Sequence, residues 1–155
     1  MNKQQLANKI WESANKMRSK IEANEYKDYI LGFIFYKFLS DKEVSYLKKQ
    51  GATDQDIRGL SEEDESTVKM VQKNIGYFIS YGNLFSTWLE MGSDFNVANV
   101  RDALSAFSRL IDVSHKKVFD GIFDTLQTGL SKLGDSSASQ TKSISDLLYL
   151  IKDIP

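Results

Sequence analysis

Tyr26-Lys27-Asp28-Tyr29-Ile30-Leu31-Gly32-Phe33-Ile34-Phe35-Tyr36-Lys37-Phe38-Leu39 decides the fold. Ten of its side chains are apolar or aromatic, and at 3.6 residues per turn they fall almost all round a helix. A helix apolar on every side is surrounded by protein, so residues 26–40 are expected to be the buried central helix of a domain. Gly32 inside it costs about 1 kcal/mol relative to Ala in an exposed helix; close approach of a neighbouring helix is the reason to keep it. Past Ser40 the chain turns polar at Asp41-Lys42-Glu43, yet Val44 and Leu47 stay in phase. The helix is expected to run to about Lys49 and to stop before Gly51.

Upstream, Leu6, Ile10, Ala14, Met17 and Ile21 form one apolar stripe on an amphipathic helix over about 3–23. Lys9, Lys16 and Lys20 form a second stripe about 100° away. Those lysines read either as a solvated face or as a phosphate-facing ridge. Downstream, Thr53-x-x-Asp56 and Ser61-x-x-Asp64 have the form of helix N-caps, and Gly76 should end the helix that the second one opens. Tyr77-Phe78-Ile79-Ser80 is β-prone but short, so any strand near 77–80 is brief. Asn83 is read as the cap of a short helix through Trp88, and Asn96 or Asn99 as the cap of the next. One helix should carry Val118, Phe119, Ile122, Phe123, Leu126 and Leu130, and a last one Ile144 to Ile151. The expected fold is all-α: a compact bundle of seven or eight helices forming a single domain over 1–155. Trp11, Phe33, Phe38, Phe107, Phe119 and Phe123 are read as core rather than as a base-stacking platform.

The 155 residues are 41% hydrophobic and 26% charged, as expected of one soluble globular domain. Twenty basic and 21 acidic side chains argue against a generic polybasic nucleic-acid binder. The charge is uneven, however: net +4 over residues 1–50, −5 over 51–66 and zero over 67–155. The absence of cysteine excludes disulfides and thiolate chemistry and fits a reducing cytoplasm. No apolar run reaches the roughly 18 residues of a spanning helix. The only proline is Pro155, so no Asn-Pro-Pro-aromatic box exists, and no two of the nine glycines stand two apart, so no Gly-x-Gly cofactor loop exists. The single histidine, His115, cannot build a His-rich metal site. Neither catalytic, cofactor-binding nor metal-ligating residues are therefore assigned.

Leu6-x3-Ile10-Trp11-x2-Ala14-Asn15-x-Met17-Arg18, followed by Glu25-Tyr26-Lys27-x-Tyr29-Ile30-Leu31-Gly32-x2-Phe35-Tyr36-x-Phe38-Leu39-Ser40-Asp41-Lys42, resembles the N-terminal helical domain of the modification (M, HsdM-type) subunit of type I restriction–modification DNA methyltransferases. Similarity continues at Gly76-Tyr77-Phe78-Ile79 with Leu84-Phe85, and at Phe119-x2-Ile122-Phe123 with Leu133-Gly134. The loop 51–66 and Ser19, where the family frequently has glycine, depart from the pattern. Trp11, Tyr26, Tyr29, Gly32, Phe35, Tyr36 and Phe38 are the motif's structural residues.

The resemblance implies a longer parent, in which a methyltransferase domain with the Gly-rich loop and the Asn-Pro-Pro-aromatic box follows the helical domain. That parent would transfer a methyl group from S-adenosylmethionine to adenine N6. This chain, ending about where the catalytic domain should begin, is expected to be non-catalytic and to hold no cofactor. The implied partners are a second M subunit, a specificity subunit, a restriction subunit and duplex DNA, in the cytoplasm and without a membrane. The helical domain would help close the complex on DNA and couple methylation state to activity. The candidate phosphate contacts are Lys9, Lys16, Arg18, Lys20 and Lys27. The alternative is a self-contained helical protein–protein module with no DNA role.

Overall fold

The computed structural model describes residues 3–8, 11 and 23–154, with the backbone alone for 23–27. Residues 3–8 are helical, and eight further α-helices follow: α1 (Ala23–Lys49), α2 (Asp54–Arg58), α3 (Glu65–Ile75), α4 (Phe85–Met91), α5 (Val97–Arg109), α6 (Lys116–Phe119), α7 (Asp124–Gly129) and α8 (Ser137–Ile151). Short 3₁₀ turns link several of them. The fold is all-α, with no strand among the described residues.

Helix α1 is the axis of the bundle and packs against α4, α7 and α8, while α5 packs on α8. Its inward face, Ile30, Phe33, Tyr36, Leu39 and Leu47, is buried. Gly32 lies where α7 crosses, and a Cβ added there would come within 3.2 Å of the Leu126 side chain. That is the close approach the sequence suggested. Burial is nonetheless one-sided: Leu31, Phe35 and Phe38 are 53%, 39% and 56% exposed. An all-round apolar pattern overstated the enclosure, because the bundle covers only one face of this helix. Phe38 and Trp11, the latter 62% exposed, are thus not core, whereas Phe33, Phe107 and Phe123 are.

Capping explains most boundaries. Thr53 and Asp56 form a reciprocal capping box on α2. Asp64, not Ser61, caps α3 by accepting the Thr67 N–H, because Ser61 is spent on the Glu63 N–H. Gly76 closes α3 in the left-handed region at φ 96°. Asn96 and Asn99 together form the box that opens α5. Asn83 caps nothing; α4 begins after Leu84 without a side-chain cap. The single helix expected through Phe119 and Leu126 is two, because Gly121 at φ 79° breaks the ladder between α6 and α7.

The segment 77–80 has no regular secondary structure, and no strand lies among the described residues to pair with it. Tyr77, Phe78 and Ile79 are all buried, so its backbone must find other partners. One of them, for the Ile79 N–H, lies on α1.

Candidate functional site

Of the candidate phosphate contacts, Lys9, Lys16, Arg18 and Lys20 lie outside the described residues. Lys27 is on α1, but its side chain, like that of Tyr26, is also outside them. The described motif residues of α1 divide between its two faces, and Trp11 lies outside that helix.

On the inner face, the hydroxyls of Tyr29, Tyr36 and Ser40 are spent on backbone. Tyr29 Oη donates to the Gly129 carbonyl, and Tyr36 Oη to that of Asn83 at 2.7 Å. Ser40 Oγ accepts the Phe85 N–H at 3.2 Å, and the Leu39 carbonyl accepts from Tyr77 Oη at 2.7 Å. Tyr36 also stacks on Trp88, centroids 4.9 Å apart. Burial, with Glu43 nearby, holds the Tyr36 and Tyr77 phenols well above the usual range.

Glu43 is the unexpected member. It is fully buried, and its Oε1 accepts the Ile79 N–H at 2.7 Å. Among the described residues its Oε2 has no hydrogen-bond partner. Burial pushes its carboxyl up to about 8, the Ile79 N–H opposing only in part, so at neutral pH it is an acid, not a carboxylate. The polar triplet 41–43 hid this. The signal was the spacing Tyr36, Ser40, Glu43, Leu47, which is the buried stripe continued.

The outer face is open. Leu31, Phe35, Phe38, Lys42, Ser45 and Lys49 are all exposed and repeat at 4, 3, 4, 3 and 4 residues. Phe35 and Phe38 stack nearly parallel at 6.2 Å. Beside this line runs a groove of about 970 Å³, walled by Ile34, Tyr46, Ile75 and Ile154 and rimmed by Lys37 and Asp41. A smaller one of about 330 Å³ lies on the α7 side, against Phe123 and Leu126.

A hydrolytic reading of His115 fails on geometry. Asp112 Oδ2 and Ser114 Oγ both lie against the same ring atom, Nδ1, at 3.0 and 3.1 Å. A triad needs the acid and the nucleophile on opposite nitrogens. Asp120 and Asp124, four apart in sequence, are both exposed, and the Gly121 break puts them on either side of a turn rather than on one helix face. No group of His, Asp and Glu among the described residues is arranged to hold a metal. No described helix is long and apolar enough to cross a membrane.

What remains is a long central helix with one open seam on an all-helical body. The sequence profile of the HsdM N-terminal domain matches residues 6–151, nearly the whole chain. The chain belongs to that family. It is 27% identical over 157 residues to the type I restriction enzyme MpnII methylase subunit of Mycoplasma pneumoniae, covering 92% of this chain and 29% of that protein. It is 23% identical over 154 residues to the MjaIX methylase subunit of Methanocaldococcus jannaschii, covering 97% and 26%. In fold it resembles the crystal structure of a type I restriction–modification methyltransferase subunit from Streptococcus thermophilus. There the TM-score is 0.78 at 22% identity, over 99% of this chain and 34% of that one. This HsdM N-terminal domain therefore spans about a third or less of the proteins it matches. Tyr29, Gly32 and Tyr36 anchor its α1, each meeting a specific carbonyl or a crossing helix.

Proposed function

We infer that this HsdM N-terminal domain is the clamp and subunit-assembly part of a type I restriction–modification M subunit, non-catalytic by itself. The observation that carries the reading is the profile match over residues 6–151 on a matching helical fold. In the whole protein, methyl transfer from S-adenosylmethionine to adenine N6 belongs to the rest of the polypeptide. Nothing in residues 1–155 fits the cofactor, since there is no Gly-x-Gly loop and no internal proline for the base-holding box. A second M subunit, a specificity subunit and a restriction subunit are the partners, with duplex DNA enclosed in the cytoplasm.

The domain's share of the work is mechanical and electrostatic. Phosphate contacts position a protein on the duplex without reading its sequence. The net +4 of residues 1–50 supports such a face, with Lys9, Lys16, Arg18, Lys20 and Lys27 as its members. The rival reading, an interaction module with no DNA role, draws on the net charge of −1 and on the open seam of α1.

Charge reversal separates the two. Lys16→Glu with Lys20→Glu, made in the whole M subunit within its methyltransferase, should weaken DNA binding equally on two unrelated sequences. It should also lower the salt slope by about one per lost phosphate contact. Binding is measured against salt for parent and variant. An unchanged slope removes the basic ridge and favours the interaction module.

A further inference from the structure

The open seam of α1 has two halves of different chemistry. Leu31, Phe35 and Phe38 make an apolar half; Lys42, Ser45 and Lys49 make a basic one. The alternating 4 and 3 spacing is that of a helix–helix seam, in which every seam residue faces the same partner. From Leu31 to Lys49 it runs about 27 Å, the length of five helical turns. Lys37 is ion-paired with Asp41 at 2.7 Å, whereas neither Lys42 nor Lys49 has an ion-pair partner among the described residues. The basic half therefore presents two cations that no ion pair among the described residues ties down.

We propose that this seam docks an amphipathic helix of a partner chain, apolar where it meets Leu31, Phe35 and Phe38 and acidic where it meets Lys42 and Lys49. The occupant goes beyond the DNA reading and does not depend on it. Charge complementarity selects it over the two other occupants. A second copy in antiparallel register pairs Leu31 with Lys49, Phe35 with Ser45 and Phe38 with Lys42, burying lysines against apolar side chains. In parallel register it sets Lys42 on Lys42 and Lys49 on Lys49. The chain's own residues 3–22 carry five basic and two acidic side chains. As an occupant they would add like charge beside Lys42 and Lys49. An acidic helix from elsewhere meets neither objection, and helix-in-groove docking reads anchors at this spacing.

The chain has no cysteine, so Phe38→Cys creates a single labelling site on an exposed position. Ser45→Cys, also exposed, serves as a second site. Each is labelled with an environment-sensitive fluorophore. The probes are two synthetic helical peptides of about 18 residues. They share leucines along one seam and carry either glutamates or lysines beside the second half of it. The acidic peptide should shift the label to the blue and bind at least about tenfold tighter than the basic one. Lys42→Glu with Lys49→Glu should invert that preference, and Leu31→Glu should abolish binding of the unmodified protein to a labelled acidic peptide. Equal affinity for both peptides, or no binding of either, overturns the proposal. So does a label already buried in the protein alone: a shift independent of protein concentration means the chain's own segment fills the seam, and one that grows with concentration means a second copy does.

Discussion

The Glu43 carboxyl on α1 accepts the backbone N–H of Ile79 at 2.7 Å, tying the long helix to a buried segment that has no regular secondary structure. Ile79 is 2% exposed, so without Glu43 its N–H would be buried and orphaned. Leaving such a donor unmade costs about 1–3 kcal/mol. The side chain does here what a neighbouring strand would do in a sheet.

Stability should depend on pH through this group. The folded carboxyl titrates at about 8, against 4.5 when unperturbed. Between those values the folded chain binds one proton more than the unfolded one. Its contribution is full below pH 4.5, declines as pH rises, and levels off above about 8. The slope in that window approaches about 1.4 kcal/mol per pH unit. Asp64 and Asp112 work in the opposite sense. Hydrogen bonds from Thr67 and from Ser114 hold their carboxyls below the usual range, so what they contribute is lost on acidification. Urea midpoints measured from pH 5 to 9 should fall with pH. Glu43→Gln, which keeps an acceptor for Ile79, should remove most of that fall and be the more stable protein at pH 8. A parent with a flat profile would show that Glu43 reaches water.

Two phenylalanines on α1 should behave in contrasting ways. Phe33 is fully buried, and truncation to Ala should cost about 3–5 kcal/mol, a large part of a domain's stability. Phe38 is more than half exposed and rests on the Phe35 ring. Phe38→Ala should stay within about 1 kcal/mol of the parent in thermal or urea unfolding. Equal losses would mean that the outer face of α1 is covered in solution.

That contrast marks what could be read in the sequence. The inner stripe of α1, the capping boxes at Thr53 and Asn96 and the stop at Gly76 are local chemistry, and each is visible in the residues themselves. One-sided burial is not local. Leu31, Phe35 and Phe38 look like core, and only the arrangement of α4, α7 and α8 reveals that they stay largely exposed, with Phe123 touching just one side of Phe35. The division of one expected helix at Gly121 was likewise hidden, since the apolar residues on both sides stay in phase across the break. Glu43 was legible by spacing and masked by its charged neighbours.

Gly51 and Gly76 offer a matched test of what a left-handed glycine contributes. Their φ angles are nearly the same, 97° and 96°. Around Gly51 nothing lies within 4 Å of where a Cβ would be. At Gly76 that Cβ would sit 2.8 Å from Phe119 Cε2 and 2.9 Å from His115 Cδ2. The His115 ring is held in turn by Asp112 and Ser114, so it cannot swing aside without breaking those bonds. Gly51→Ala therefore pays only for the backbone conformation, about 1–2 kcal/mol. Gly76→Ala carries the same backbone cost and also displaces two packed rings, one of which, Phe119, stands edge-on to Tyr77 and Phe107 in the core. Its loss of stability should exceed that of Gly51→Ala by at least about 1 kcal/mol, as expected for overpacking. Urea unfolding of the two variants side by side measures the difference. Equal losses would show that His115 and Phe119 give way freely, and that the end of α3 is set by backbone conformation alone.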